Sequence, residues 1–348
     1  PKKAMKDMSK LISYDKKNKR FKANYEKGIY QASFNNKNLN FLKRKYSAQD
    51  IAACAQFLLE KVVLECVNDL SKNKFNLALA GGIFANVKLN QKIKDQKIVK
   101  KIYVFPNMGD GGLSIGSALL AYYQKNKKIR VSLKNCYLGP QYYKDDLLKK
   151  IKKYRLKFLK PKNIEKEIAF LLNKGLVVAH FNNRMEFGPR ALGNRSILCS
   201  AKNKNINDIL NKKLGRTEFM PFAPIVLEKS MRKYFKIKDS LNDYKFMTIT
   251  CDCKKIMINN SPAAVHIDNT ARPQMINKKI SLRLFKILNE YKKITKIPVL
   301  INTSFNMHEE PIVCSPNDAI RAFLASKIDY LILEKYLIQK PWKKKFTL

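Results

Sequence analysis

The chain has 348 residues, 45% of them hydrophobic, which is enough for the cores of two ordinary domains and too many for a disordered tail. Lysine and arginine number 70 against 27 aspartates and glutamates, a formal net charge of +43. No apolar run approaches the length of a membrane span, and seven irregularly spaced cysteines exclude a disulfide framework.

The charge has two readings. A polyanion such as nucleic acid or an anionic glycan would explain it. Lysine-biased solvated faces explain it more simply, because the 58 lysines are scattered along the whole chain. No compact block alternates basic and aromatic residues in the manner of a base-stacking surface, so nucleic acid is disfavoured as a partner. Cys251 and Cys253 are wrongly spaced for a zinc knuckle and lack a second pair. The expectation is a reduced, cytoplasmic protein with no membrane partner. Pro1-Lys2-Lys3-Ala4-Met5 has no apolar signal core behind it. The missing initiator methionine points to processing or to numbering that begins inside a longer protein.

Residues 1–45 are polar and weakly periodic. Ser47 and Asp50 then read as a helix start, followed by Ile51, Cys54, Phe57, Leu58 and Val62 at helical spacing. An apolar run over 75–80 ends in Gly81-Gly82, and a helix follows over 83–93. The pattern repeats as a strand over 102–105, a loop over 106–112 and a helix over 113–123. Two strand, glycine-turn, helix units suggest an α/β domain with a phosphate-type ligand near the turns. The basic stretch 125–134 is a candidate boundary. Beyond it, helices are predicted over 145–154, 163–174, 205–214, 281–293 and 316–325. Ser315 is a natural N-cap there and Pro316 suits the first helical position. Strands are predicted over 176–181, 222–227, 298–301 and 330–333.

The most informative stretch runs from Arg184 to Ser196, directly after a buried strand. With Arg216, it places four of the chain's twelve arginines between 184 and 216. Where only positive charge is needed, this sequence uses lysine, so arginine here argues for its planar fork of donors, which grips phosphate or carboxylate bidentately. The plainer reading is pairing with Glu186 and Glu218 to hold the loop. A second cluster, Asn302-Thr303-Ser304-Phe305-Asn306, is dense in neutral hydrogen-bonding groups that can read a small polar group, or form an ordinary turn. A third runs from His266 to Gln274. His266 near Asp268 invites an acid–base role, although a lone histidine is as readily structural. Gly81, Gly82 and Asn86, with Asp110 and Gly111, form two glycine turns where a backbone can approach phosphate and an aspartate can hold a metal. The three histidines, His180, His266 and His308, cannot make a multi-histidine metal site alone.

In order, Ala80-Gly81-Gly82 through Asn86, Gly109-Asp110-Gly111-Gly112, Glu186 to Ser196, Phe219 to Pro224, His266 to Arg272, Asn302 to Asn306 and Glu310-Pro311-Ile312-Val313 resemble the O-carbamoyltransferase family of nodulation and antibiotic biosynthesis, over roughly residues 47–340. Enzymes that carbamoylate tobramycin, cephamycin and nodulation factors belong to that family. The resemblance implies an α/β protein: part of an actin/Hsp70-type (Kae1-like) lobe over residues 1–130, then a YrdC-like carbamoyl-adenylating domain over 131–348. It implies that carbamoyl phosphate is activated with ATP and Mg²⁺ to carbamoyl-adenylate, and that the carbamoyl group passes to a hydroxyl of a small molecule or glycan. By motif match, Arg190, Arg195, Arg216, Ser304 and Asn306 would act on the carbamoyl and adenylate phosphates. Lys213, Asn302, Thr303, His266 and Arg272 would bind substrate. Gly81, Gly82, Asn86 and Gly111 would bind nucleotide, and Asp110 would bind a metal, Fe²⁺ or another divalent ion in the complete lobe. The family carries a whole first lobe before Ser47, with a histidine pair completing the metal site. Neither is in this sequence, so a separate chain or a preceding segment is expected to supply them. The alternatives are a tRNA-modification factor of the Kae1/YrdC type and a split or remnant chain. Homodimerisation is left open.

Overall fold

A computed structural model describes residues 3–24, 37–128, 132–215 and 222–340. It forms two compact units: residues 1–79 with 88–103, and residues 80–87 with 104–348. Both helices and a mixed sheet are present, so the chain has the expected α/β class.

The first unit is organised on one long helix. It contains α1 (Met5–Met8), the antiparallel hairpin β1 (Ile12–Asp15) and β2 (Arg20–Ala23), α2 (Lys37–Lys45), α3 (Ala48–Asp69) and β3 (Phe75–Leu79), with most of α4 (Val87–Lys94) and of β4 (Val99–Val104), the partner of β3. Ser47 caps α3 as expected, its Oγ accepting the Asp50 N–H at 3.1 Å. Cys54, Leu58 and Val62 recur every fourth residue on α3 and cluster with Ala4, Met8 and Leu42. The leading residues show little periodicity because the helix Met5–Met8 and both hairpin strands are only four residues long. The helix expected over 83–93 is interrupted: a 3₁₀ turn covers Gly82–Ala85, Asn86 is extended, and α4 starts at Val87.

The second unit follows with α5 (Leu113–Asn126), α6 (Lys144–Lys153), β5 (Phe158–Leu159), α7 (Ile164–Asn173), β6 (Val178–Phe181), β7 (Arg195–Ser200) and α8 (Ile206–Leu214). Next come β8 (Ala223–Leu227), α9 (Glu228–Tyr234), β9 (Cys251–Asp252), α10 (Lys255–Asn260), β10 (Thr270–Ala271) and β11 (Gln274–Ile276). The chain ends with α11 (Leu282–Thr295), β12 (Val299–Ser304), α12 (Pro316–Ala325), β13 (Tyr330–Leu333) and β14 (Tyr336–Gln339). Eight strands form one sheet in the order β11-β8-β12-β7-β6-β13-β14-β5. The pairs β11/β8 and β13/β6 are parallel and the others antiparallel.

Every residue of β6, β7, β8 and β13 is buried. Neighbouring side chains on a strand point to opposite faces, so both faces of the sheet are covered. Helices α7 and α11 pack together over β6, β7, β8 and β12, and α6 packs on α12, which lies over β6 and β13. Ser315 and Asp318 form the capping box of α12, and Gly215 ends α8 in the left-handed conformation. By contrast α5 has no buried residue, and its Leu113, Leu120, Tyr122 and Tyr123 are exposed. None of the seven cysteines is paired, and no described helix is long and apolar enough to cross a membrane.

Gly193 shows why a glycine stands in the loop before β7. Its φ is +120°, and a Cβ there would lie 2.2 Å from Leu284 Cδ1 on α11. Its carbonyl also accepts from Nδ1 of the fully buried His180 at 2.6 Å. Burial, with Arg283 and Arg195 nearby, pulls the His180 pKa down to about 3. Two outcomes follow. Gly193→Ala should destabilise the protein by about 2–3 kcal/mol, through strain and overpacking, read as a lower urea midpoint. Between pH 6.5 and about 3 the unfolded chain protonates this histidine and the folded chain does not. Stability should therefore fall as pH drops through that window, by about 1.4 kcal/mol per pH unit for one proton. Urea midpoints at pH 7 and 4.5 should differ less in His180→Gln than in the parent.

Candidate active site

The sheet brings the separate motifs to one of its ends. Phe181 pairs with Arg195, Ser196 with Ser304, Asn302 with Ala223, and Gln274 with Ile225. The ends of β6 and β12 and the beginnings of β7, β8 and β11 are therefore neighbours. The loop joining β6 to β7, residues 182–194, carries the arginine motif. The strand predicted over 298–301 continues to Ser304, so Asn302, Thr303 and Ser304 belong to the ladder and not to a turn.

A buried carboxylate shapes the loop. Glu186 Oε1 accepts the backbone N–H groups of Leu192 and Asn194 at 2.7 Å each and of Arg195 at 3.2 Å. Burial pushes the Glu186 carboxyl above its ordinary range, and these donors pull it back. The plainer sequence reading, a carboxylate paired with arginine, is thus replaced by a carboxylate gripping backbone. The loop's carbonyls are tied to the sheet: Asn302 Nδ2 donates to Ala191 O at 3.1 Å and Gln274 Nε2 to Leu192 O at 2.7 Å. At the loop's other end, Arg184 donates to Leu138 O at 2.7 Å and Gly139 O at 3.0 Å.

Several expected ligands have other places. Arg195 is completely buried and donates to the carbonyls of Asn182, Asn183, Asn194, Cys314 and Pro140 at 2.8–3.4 Å. Its guanidinium also lies 3.6 Å over the Phe181 ring. It is a brace between loops and not an open phosphate ligand. Lys213 Nζ pairs with Asp329 at 3.0 Å and donates to Lys327 O at 3.0 Å, joining the end of α8 to the start of β13. The Asn306 amide closes its own turn through Met307 O and Glu310 O at 2.9 and 2.8 Å. Asn302 holds the arginine loop, as described above. His266 and Asp268 meet through Thr270: Nδ1 lies 3.1 Å from the hydroxyl, which donates to Asp268 at 2.6 Å. Arg216, Glu218 and residues 219–221 lie outside the described residues.

Arg190 and Arg272 differ from the other arginines. Each is half-buried with its Nε shut off from solvent, and neither meets a carboxylate among the described residues. Arg190 Nη2 reaches Ala85 O at 3.3 Å, beside the first glycine turn. The Nε atoms of both are buried without an acceptor. Burial, then the positive charge of Arg190, pulls the Arg272 pKa down to about 9, which leaves it protonated at neutral pH. Desolvating one such ion costs on the order of several kcal/mol. Two nearby cations with unused donors and no counter-charge among the described residues form a candidate site for an oxyanion.

The two glycine turns adjoin this site. Gly81 N–H donates to Met108 O, and Gly188, in the arginine loop, approaches Pro106 O so closely that a Cβ would lie 3.1 Å from it. Gly82 faces open space and Gly81 has φ +120°, whereas a Cβ on Gly111 would collide with the Asn107 side chain. Asp110 is exposed, and no group of three His, Cys, Asp or Glu residues suited to a metal occurs among the described residues. The described residues alone therefore do not fit a metal centre at Asp110.

The fold is mixed α/β, and two nearby arginines with unpartnered Nε donors lie at one end of its sheet. The chain belongs to the carbamoyltransferase family: residues 3–119 match the Carbamoyltransferase N-terminus model and residues 169–340 the Carbamoyltransferase C-terminus model. It is 36% identical over 346 residues to protein MJ1058 of Methanocaldococcus jannaschii, covering 94% of this chain and 56% of that protein. It is 34% identical over 302 residues to nodulation protein NolNO of Sinorhizobium fredii, covering 84% and 44%. The chain thus spans about half the length of the curated relatives it matches. A solved structure of full-length HypF in its phosphate- and nucleotide-bound form matches at 16% identity with a TM-score of 0.34, covering 49% of this chain and 21% of that one.

Phosphate should raise the melting temperature of the parent protein, since a ligand at 100 times its Kd adds about 2.7 kcal/mol. Arg272→Met should abolish that rise while leaving the ligand-free protein as stable or more so, because it removes one of two buried like charges. Binding requires the Arg272 proton, so the phosphate effect should fade as pH rises through about 9, measured by calorimetric titration.

Proposed function

We propose that this chain performs the carbamoyl-activating half of an O-carbamoyl transfer. Family membership supports the reaction class, and the uncompensated Arg190–Arg272 pair is the observation that carries the reading. Carbamoyl phosphate takes up one water to give carbamate and inorganic phosphate. A carbamate oxygen then bonds to the α-phosphorus of ATP, and the bond to the β-phosphate breaks, giving carbamoyl-adenylate and pyrophosphate. Mg²⁺ accompanying ATP would shield its phosphate oxygens.

Arg190 and Arg272 bind the phosphate group and balance the charge that grows on the leaving oxygen. Burial strengthens that interaction by excluding water. Glu186, Asn302 and Gln274 fix the loop, so little reorganisation is needed when the anion arrives. Ser304 at the end of β12, with Thr303 before it, supplies neutral hydrogen-bonding groups for the carbamoyl amide. Gly82, with nothing packed against it, lets the backbone of the turn from Gly81 to Asn86 approach a nucleotide phosphate. The acceptor is a hydroxyl of a small molecule or glycan, and a partner lobe supplies the transfer site.

Pyrophosphate release by the purified chain, given ATP, Mg²⁺ and carbamoyl phosphate, tests the reading. Release should depend on carbamoyl phosphate and fall at least 100-fold in Arg190→Ala, while Lys213→Ala should lose stability more than turnover. Release that persists unchanged in Arg190→Ala would sink the proposed role. No release from folded parent protein would sink the self-sufficient half-reaction.

A further inference from the structure

Gln274 opens β11 and is wholly buried. Its amide is engaged on both sides: Oε1 accepts from Asn302 Nδ2 at 2.9 Å, and Nε2 donates to Leu192 O at 2.7 Å. Asn302 Nδ2 gives its second hydrogen to Ala191 O at 3.1 Å. Three hydrogen bonds and one peptide unit thus close a ring of uncharged groups. The ring joins β11, β12 and the arginine loop. Strand β8 lies between β11 and β12, so no backbone ladder can make this connection.

The ring sits between the two cations in the chain's own connectivity. Arg190 immediately precedes Ala191. Arg272 stands two residues before Gln274, with Pro273 restricting the backbone between them. Two buried guanidiniums repel, and a carboxylate that held them together would also cancel the field an anion needs. Amide ties hold the segments together without cancelling it. We propose that Gln274 is the positioning residue that sets the spacing of Arg190 and Arg272, so that both guanidiniums grip one phosphate-type oxyanion. This rests on the oxyanion-site reading above.

The loop can survive the loss of this tie, because Tyr137 Oη also donates to Leu192 O, at 3.0 Å. Calorimetric titration with inorganic phosphate and with pyrophosphate would compare the parent, Gln274→Met, Arg190→Met and the double variant. Gln274→Met should weaken binding about tenfold while circular dichroism stays native. On the Arg190→Met background the same change should alter affinity less than about twofold, since there is then nothing to position. An equal effect on both backgrounds would reduce Gln274 to general support and overturn the inference. If Gln274→Met does not fold, Gln274→Asn, which stays uncharged and draws the amide back by one methylene, takes its place with the same expectations. Binding lost in Arg190→Met but untouched in the Gln274 variant would overturn this inference and leave the oxyanion site standing. Absence of binding by the parent would remove both.

Discussion

The second unit's functional end depends on one buried carboxylate. Glu186 Oε1 gathers three backbone N–H groups of a loop that is neither helix nor strand. Buried backbone donors must find acceptors, and an irregular loop has no ladder to supply them. A single charged oxygen meets that requirement for Leu192, Asn194 and Arg195 together. The path of the chain from Arg184 into β7 follows from it. Arg195 then braces the loop from below through five carbonyls and the Phe181 ring.

Against that scaffold, Arg190 and Arg272 are an electrostatic liability in the free protein, which the proposed reading turns into an asset once an anion is bound. Among the described residues their positive charge is unopposed, because the ties there are neutral: carbonyls on the loop, amides on Asn302 and Gln274, and the Tyr137 hydroxyl. The carboxylate of the same loop, Glu186, is directed at backbone N–H groups. This division of labour separates folding from binding. It also explains why neighbouring arginines with the same chemistry have different roles: Arg184 and Arg195 find carbonyls, whereas Arg190 and Arg272 retain unused donors.

Much of the architecture was legible in the sequence because it is local. Ser47 and Ser315 cap helices with side chains three residues from their targets, and the apolar run 330–333 is a strand. The arginine loop and its position after a buried strand were also legible. The strand β7 was not, because its first residues, Arg195 and Ser196, are polar and look like loop, although their partners bury them completely. The hairpin of residues 12–23 escaped because strands of four exposed or half-buried residues leave no alternation to read.

The sequence by itself determined the α/β class, the family motifs and the concentration of arginine around one loop. Tertiary structure decided which arginines remain open. That choice turns on acceptors far away along the chain: Arg195 meets Cys314, 119 residues on, and Gln274 meets Leu192 across 82. Propensity, periodicity and capping act over a few residues, so they cannot distinguish a guanidinium that will find a carbonyl from one that will not. Only folding, by bringing enough distant carbonyls to saturate some arginines and leaving buried donors unused on others, separates a brace from a candidate binding site.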